Sequence, residues 1–187
     1  IKFVMQDVLG LEEIAALPGL EVAETDLVNQ ILEEAGKFAG NVLSPLNTIG
    51  DQQGARIENG VVRTADGFAD AYKQFSEAGW CSVPFNPEYG GQGLPWLVQT
   101  ALFEMWTAAN MSFSLCPFLS GAVVDALQRQ GSQEQKDTYM SKLISGEWTG
   151  TMNMTEPQSG TDLGSIRTRA VHDGENYRIK GSIRRNS

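Results

Sequence analysis

Histidine and cysteine are scarce in this chain of 187 residues, which contains one His and two Cys. The single His172 excludes a metal site built from several histidines and leaves little for triad chemistry. Cys81 and Cys116 lie far apart in the sequence and match neither a metal-ligand spacing nor a C-x-x-C motif. We therefore expect both thiols to be reduced and buried, in a cytoplasmic protein.

Basic residues are outnumbered by acidic ones, 14 to 23, which gives a net charge of −9 and argues against a nucleic-acid partner. Residues 1–146 carry 8 Lys or Arg and 18 Asp or Glu, whereas residues 147–187 carry 6 and 5. The mildly basic C-terminal part would suit a ligand with a pyrophosphate. Solvated strand faces would explain the same six basic residues.

Long apolar segments are also missing, since no apolar run reaches membrane-spanning length. The first twenty residues include Asp7, Glu12 and Glu13, which is not typical of a signal peptide. We therefore expect a soluble protein with no membrane partner. With 41% hydrophobic and 20% charged residues, the chain can bury a sizeable core.

Apolar residues recur at helical spacing through the first 146 residues. The pattern predicts helices over 7–17, 25–43, 66–78, 95–109, 111–130 and 132–144. Thr25 is the expected N-cap of the second helix, Ser44-Pro45 its end, and Ser132 opens the sixth with a capping box. The helix over 111–130 is apolar on most faces and should be central. Short connections favour a mainly α, bundle-like domain over residues 1–146.

The periodicity changes after residue 147. It predicts strands over 148–154, 167–171 and 177–180, with His172 as a solvated residue in a hairpin turn over 172–176. Three strands cannot bury both faces of a sheet. Residues 147–187 are therefore expected to be the first strands of an incomplete β domain.

Two loops carry candidate anion-binding features. The loop over 84–95 has three glycines but lacks the Lys-Ser/Thr of a P-loop, so we predict a structural turn. In the second loop, Pro157 favours an extended conformation at Glu156 and ends the preceding strand. Ser159-Gly160-Thr161-Asp162 follows and could aim N–H and O–H groups at a phosphate, with Gly160 able to take a positive φ. An Asp-capped turn without a ligand requires the same residue types.

The second loop also carries a resemblance. Thr155-Glu156-Pro157-Gln158-Ser159-Gly160-Thr161-Asp162-Leu163, after the segments 135–139 and 143–147, resembles the signature of the acyl-CoA dehydrogenases, and the similarity extends back through 87–94. Segments 50–54, 85–89, 147–152 and 161–164 look most like the bacterial subgroup that includes the 3-methylmercaptopropionyl-CoA dehydrogenases.

The resemblance implies a helical N-terminal domain, then a β-barrel-like middle domain and a C-terminal helical domain. On this reading the chain is a fragment that stops inside the middle domain and lacks the C-terminal domain with the catalytic Glu. The family's flavin-facing aromatic-Ile-Thr/Ser strand is replaced by polar residues within 183–187. We expect a truncated or frame-altered product, or a tail of uncertain residue identity.

The resemblance further implies FAD-dependent oxidation of an acyl-CoA thioester to the trans-2-enoyl-CoA. A carboxylate removes the α-proton while the β-hydrogen leaves as hydride to the flavin. An electron-transfer flavoprotein or a similar acceptor would take the electrons, and the full-length protein would be a homodimer or homotetramer.

Carried over by position, the residues that contact FAD are Met152, Asn153, Met154, Thr155, Gly160 and Thr161. Thr161 would also contact the CoA arm of the substrate. Glu156 is expected to be a structural hydrogen-bonding residue and not the base, and no catalytic residue is assigned. The alternative is a non-catalytic helical interaction module of the same fold, which Arg185 and Asn186 at flavin-facing positions favour.

Overall fold

The computed structural model describes residues 1–182 and is mainly helical, as predicted. The interpretation of residues 183–187, including Arg185 and Asn186, therefore lies outside the described residues. The chain divides after Gly150 into two compact units.

Helices make up most of the first unit, residues 1–150. In chain order they are α1 (Leu11–Ala15), α2 (Thr25–Phe38), α3 (Ser44–Gln53), α4 (Phe68–Glu77), α5 (Trp96–Ala109), α6 (Met111–Gln130) and α7 (Gln133–Ile144). Short π-helical turns cover Val4–Val8 and Ala39–Leu43, and a 3₁₀ turn covers Pro87–Tyr89.

The prediction of one continuous helix over 7–17 is wrong, because the structure interrupts it at Gly10. Gly10 has a φ of 66° and separates the π-helical turn Val4–Val8 from α1. A positive φ is incompatible with an α-helix but accessible to glycine. The amphipathic pattern therefore corresponds to two short segments.

The predicted end of the second helix at Ser44-Pro45 is also wrong, because the chain continues through a π-helical turn into α3. Pro45 lies in the first turn of α3, where a missing N–H costs no hydrogen bond. Thr25 is already helical, and Glu24 is the N-cap without a side-chain capping bond.

The segment after α3 contains a small hairpin of β1 (Arg56–Glu58) and β2 (Val61–Arg63). Asn59 and Gly60 have φ values of 52° and 79°, which confirms the tight turn predicted there.

Aromatic residues form the centre of the helical core. Trp106 of α5 is 1% exposed, and its ring centroid lies 5.5 Å from that of Phe75 and 5.8 Å from that of Phe38. Phe75 in turn lies 5.6 Å from Phe113, in an edge-to-face arrangement. These contacts join α2, α4, α5 and α6 into one core.

Asn110 connects α5, α6 and the end of the π-helical turn over Ala39–Leu43. Its side-chain oxygen accepts the N–H of Phe113 at 3.0 Å, and its amide donates to the carbonyl of Leu43 at 3.3 Å. Asn110 is 1% exposed. It is therefore a buried N-cap with its polar groups paired.

Helix α6 packs between α5 and α7. It is less buried than the central helix that the sequence predicts. Phe113 and Val124 are buried, whereas Met111, Leu115 and Phe118 stay exposed. Cys116 is also exposed, so the prediction that both cysteines are buried is wrong for this one. Both thiols are free, and burial raises the pKa of Cys81 to about 11.

Length and apolar composition make α6 a candidate membrane span, contrary to the expectation that no run reaches this length. Core helices of water-soluble proteins meet the same criterion. We draw no membrane assignment from it.

Helix α7 begins with the predicted capping box. Ser132 Oγ accepts the N–H of Gln135 at 3.2 Å, and the Gln135 side chain accepts the N–H of Ser132 at 2.9 Å. The chain turns at Gly146, which has a φ of 81°. The Gly146 carbonyl accepts the hydroxyl of Tyr72 at 3.2 Å, which ties this end to α4.

The second unit starts without the strand predicted over 148–154, since these residues form no ladder in the described part of the chain. An alternating pattern becomes a strand only where a neighbouring strand pairs with its backbone groups. The predicted hairpin is present as β3 (Arg169–Asp173) and β4 (Asn176–Lys180).

The hairpin turn is shorter than predicted. Asp173 pairs with Asn176, so Gly174 and Glu175 alone form the turn, with Gly174 at a φ of 65°. His172 therefore lies in β3 opposite Tyr177, not in the turn, and the two rings are 5.1 Å apart.

Candidate functional site

The glycine-rich loop after α4 is a structural turn, as predicted. The N–H of Gly91 donates to Asn86 O at 3.0 Å and the N–H of Gly93 to Phe85 O at 2.9 Å. A Cβ on Gly91 would lie 2.0 Å from Phe85 O, so this close approach requires glycine. Because the loop uses these N–H groups internally, they are not offered to a phosphate.

The second candidate loop is closed by a pair of backbone hydrogen bonds. The N–H of Glu156 donates to Ser159 O at 2.9 Å, and the N–H of Ser159 donates to Glu156 O at 3.0 Å. Pro157 and Gln158 form the turn between them. Thr155 and Gly160 therefore flank the paired residues on either side of the turn.

The Glu156 side chain is 4% exposed and is held by backbone donors further along the chain. Its Oε2 accepts the N–H of Arg167 at 2.9 Å, and its Oε1 accepts the N–H of Thr168 at 2.7 Å. The side-chain amide of Gln158 also donates to Oε2. Both carboxylate oxygens are thus occupied.

These hydrogen bonds determine the protonation state of Glu156. Hydrogen bonding to Thr168, followed by that to the Arg167 N–H, lowers the pKa of Glu156 to about 2 against the effect of burial. At neutral pH the carboxylate is ionised, and a proton on either oxygen would oppose the N–H group that donates to that oxygen. Glu156 is therefore unsuited to act as a base, which agrees with the structural role expected from the sequence.

Further polar contacts brace the loop internally. Ser159 is 1% exposed and its Oγ donates to Asp162 O at 2.6 Å. Ser165 Oγ donates to the Asp162 carboxylate, and the Gln158 amide donates to Ser165 O at 3.3 Å. A 3₁₀ turn covers Leu163–Ser165. The loop from 156 to 168 is thus ordered by its own side chains.

Gly160 and Thr161 lie at the surface of this braced loop. A Cβ added to Gly160 would meet nothing within 4 Å. Gly160 does not take the positive φ considered from the sequence, so its own backbone conformation does not require glycine. The open space above Gly160 fits the close approach of a ligand to its backbone.

The other expected cofactor-contacting residues precede the turn. Met152 is 56% exposed and Met154 44%, while Asn153 donates from its side chain to Thr151 Oγ1 at 3.3 Å. Thr155 is half-buried. The structure thus places all six expected residues on one continuous segment, with Gly160 and Thr161 following the turn.

Sequence reasoning missed Arg167 and Thr168 as the partners of Glu156, because backbone donors leave no residue-type signal.

Sequence reasoning also missed a shallow hollow on the hairpin, lined by Val171, Gly181 and three basic residues, Arg167, Arg169 and Lys180. Arg169 and Lys180 are directly opposite across the ladder, which is unfavourable for like charges. Three basic side chains therefore line this face, which favours an anionic ligand over a cationic one.

A cavity of about 300 Å³ lies in the helical unit, lined by α4, α5, α6 and the residues that follow α4. Half of its lining residues are aromatic, namely Phe75, Trp80, Phe85, Trp96, Phe103, Trp106 and Phe118. This volume is at the lower limit of small-molecule sites, and its lining suits an apolar group.

Comparison with known proteins places these features in context. Residues 25–147 match the family described as acyl-CoA dehydrogenase, N-terminal domain. A 3-methylmercaptopropionyl-CoA dehydrogenase from Ruegeria pomeroyi shares 44% sequence identity with this chain over 183 residues. The aligned region is 97% of this chain and 31% of that relative. The chain thus spans about a third of the length of this curated relative.

Solved structures share the fold. A butyryl-CoA dehydrogenase from Megasphaera elsdenii superposes with a TM-score of 0.70 at 21% identity, over 84% of this chain and 40% of that one. An FAD complex of PigA superposes with a TM-score of 0.67 at 24% identity, over 82% and 38%.

Proposed function

Because this chain belongs to the acyl-CoA dehydrogenase family, we propose that it supplies the helical and flavin-facing segments of an FAD-dependent oxidoreductase that converts an acyl-CoA thioester to the 2-enoyl-CoA. The observation that carries the proposal is the 44% identity over 97% of the chain to a dehydrogenase of this type. The braced loop with Gly160 and Thr161 at its surface supports it.

Two stretches would hold FAD. Met152, Asn153, Met154 and Thr155 would lie along the flavin ring, with backbone groups and the Thr155 hydroxyl bonding its polar edge. Gly160 and Thr161 would approach the pyrophosphate. When bound, FAD supplies the redox chemistry by accepting a hydride from the substrate.

The residues present fit such a group. The open surface at Gly160 leaves room for a pyrophosphate. The basic face of the hairpin provides a favourable potential for phosphates, because Arg167, Arg169 and Lys180 line one hollow. The proposed role of Thr161 at the CoA arm follows the same logic, since a hydroxyl can donate to an amide or phosphate oxygen.

The acyl group would be short and apolar. The Ruegeria pomeroyi relative is named for a substrate with a thioether, and thioether sulfur packs favourably against aromatic rings. The aromatic cavity of about 300 Å³ offers such walls. We therefore propose short acyl groups, including thioether-containing ones, as the substrate class.

The α-proton would be removed by a carboxylate other than Glu156. Glu156 is buried and holds two backbone N–H groups, and its pKa of about 2 makes it a weak base. We propose that this base is a Glu of a C-terminal domain, as the resemblance to the family implies. The same proposal includes a flavoprotein electron acceptor and a homodimer or homotetramer, which family membership supports. It also includes a cytoplasmic location, which the two free cysteines favour.

Isothermal titration of the 187-residue protein with FAD tests the proposal, with a Thr155→Val variant and a Thr64→Val control. Thr64 is an exposed residue outside the proposed site. We expect saturable binding that Thr155→Val weakens about 5- to 10-fold, the cost of one hydrogen bond, and that Thr64→Val leaves unchanged. Equal affinities of all three proteins would contradict the proposed site, and absence of binding would favour the non-catalytic interaction module.

A further inference from the structure

Glu156 connects two parts of the second unit that are separated in sequence. It adjoins the proposed flavin-facing residues 152–155, while its carboxylate holds the N–H groups of Arg167 and Thr168, 11 and 12 residues further on. Thr168 immediately precedes β3. One side chain thus fixes the start of the loop to the start of the hairpin.

The geometry uses both oxygens of an ionised carboxylate as acceptors. Two adjacent backbone N–H groups each meet one oxygen, at 2.9 and 2.7 Å, which a neutral side chain cannot reproduce. Gln would keep one acceptor oxygen but present an NH₂ group to the second donor. Ala would leave both N–H groups without this partner.

The contact is a structural hydrogen-bonded clamp and not a surface ion pair. Arg167 contributes its backbone N–H, and no ion pair of Glu156 occurs among the described residues. The loop that the clamp closes is braced further by Ser159 Oγ on Asp162 O and by Gln158 on Ser165 O. Gly160 and Thr161 are therefore presented by a loop whose two ends are fixed.

We propose that Glu156 is a positioning residue that sets FAD affinity by holding the segment 152–161 in its binding conformation before the cofactor arrives. This inference rests on the proposed FAD-binding function and adds a role to a residue whose carboxylate is already engaged by Arg167 and Thr168. A loop ordered in advance loses less conformational freedom when the ligand binds, so its ligand binds more tightly.

The clamp is tested first without cofactor. Backbone amide hydrogen exchange at Arg167 and Thr168 is measured by NMR in the wild-type chain and in the Glu156→Ala, Glu156→Gln and Glu175→Gln variants. Glu175 is an exposed residue of the hairpin turn and is the matched control for loss of one negative charge. Far-UV circular dichroism reports whether the helical unit stays folded.

We expect exchange at both amides to be on the order of 10- to 100-fold faster in Glu156→Ala, the effect of losing hydrogen bonds to a charged acceptor. Glu156→Gln should keep part of the protection, and Glu175→Gln all of it. Equal exchange rates in wild type and Glu156→Ala would overturn the clamp.

FAD titration of the same proteins then separates the two claims. Affinity that falls at least fivefold in Glu156→Ala and partly recovers in Glu156→Gln supports the positioning role. Unchanged FAD affinity in Glu156→Ala, with faster amide exchange, would overturn that role. If no protein binds FAD while Glu156→Ala still loses amide protection, the proposed function and with it the positioning role fail, and only the clamp stands.

Discussion

The Glu156 carboxylate accepts the backbone N–H of Thr168 at 2.7 Å, across twelve residues of chain. This contact and its companion at Arg167 decide what Glu156 can do. A conspicuous acid beside a proposed flavin segment would suggest a general base. Its hydrogen bonds instead keep Glu156 ionised and give it a structural role in the loop.

Acidification should release this loop. The folded pKa of Glu156 is lowered to about 2 from its ordinary value of 4.5. A lowered folded pKa stabilises the folded loop above the unfolded pKa, and that contribution is lost as the pH falls through the folded value. We expect the amide signals of Arg167 and Thr168 to stay unchanged from pH 7 to about 3 and to shift below that pH, with a midpoint near pH 2.

Two-dimensional NMR spectra recorded across this range measure the transition, and Glu156→Gln is the control because it cannot titrate. A shift of both amides complete by pH 4, or an identical shift in Glu156→Gln, would show that another group is responsible.

Removal of the buried cap should destabilise the helical unit. Asn110→Ala deletes the acceptor for the Phe113 N–H and the donor to Leu43 O, in a site that is 1% exposed. We expect the free energy of unfolding to fall by about 1–3 kcal/mol. Urea denaturation followed by circular dichroism measures it.

The control for this prediction is Asn47→Ala. Asn47 is an exposed residue of α3, so its replacement should change the free energy of unfolding by less than about 0.5 kcal/mol. Equal effects of the two substitutions would contradict the assignment of Asn110 as a buried cap.

Two glycines should respond oppositely to alanine. Gly146 has a φ of 81°, and a Cβ there would lie 2.8 Å from Ser76 Cβ and 2.9 Å from Cys81 Sγ. Gly146→Ala should lower the free energy of unfolding by about 1–3 kcal/mol, because the substitution combines backbone strain with a close contact. Gly36 lies within α2 with nothing within 4 Å of an added Cβ, so Gly36→Ala should stabilise by about 0.5–1 kcal/mol. Thermal unfolding compares the two variants, and a stabilised Gly146→Ala would show that the turn does not hold this conformation.

The sequence predicts well where local chemistry decides the structure. The period of apolar residues located α4, α5, α6 and α7, and the capping box at Ser132 forms as its residue types require. Prediction fails where local signals are ambiguous. Ser44-Pro45 suits either the end of one helix or the first turn of the next, and here it opens α3.

Non-local pairing is the other limit. Residues 148–154 have a strand-like pattern, but a strand needs a neighbouring strand that pairs with its backbone groups. Within the described part of the chain, no strand pairs with residues 148–154. The partners of Glu156 are backbone N–H groups, which every residue except proline carries. Its structural role could be predicted from Pro157, but its attachment to Arg167 and Thr168 could not.

Mapping of FAD contacts by NMR shows directly whether residues 152–161 bind the cofactor. FAD is titrated into the isotopically labelled 187-residue protein, and backbone amide shifts are followed residue by residue. We expect the largest shifts at Met152, Asn153, Met154, Thr155, Gly160 and Thr161, with Gly174 and Glu175 of the hairpin turn unchanged. Saturable shifts confined to other residues, or no shifts at millimolar FAD, would contradict this expectation.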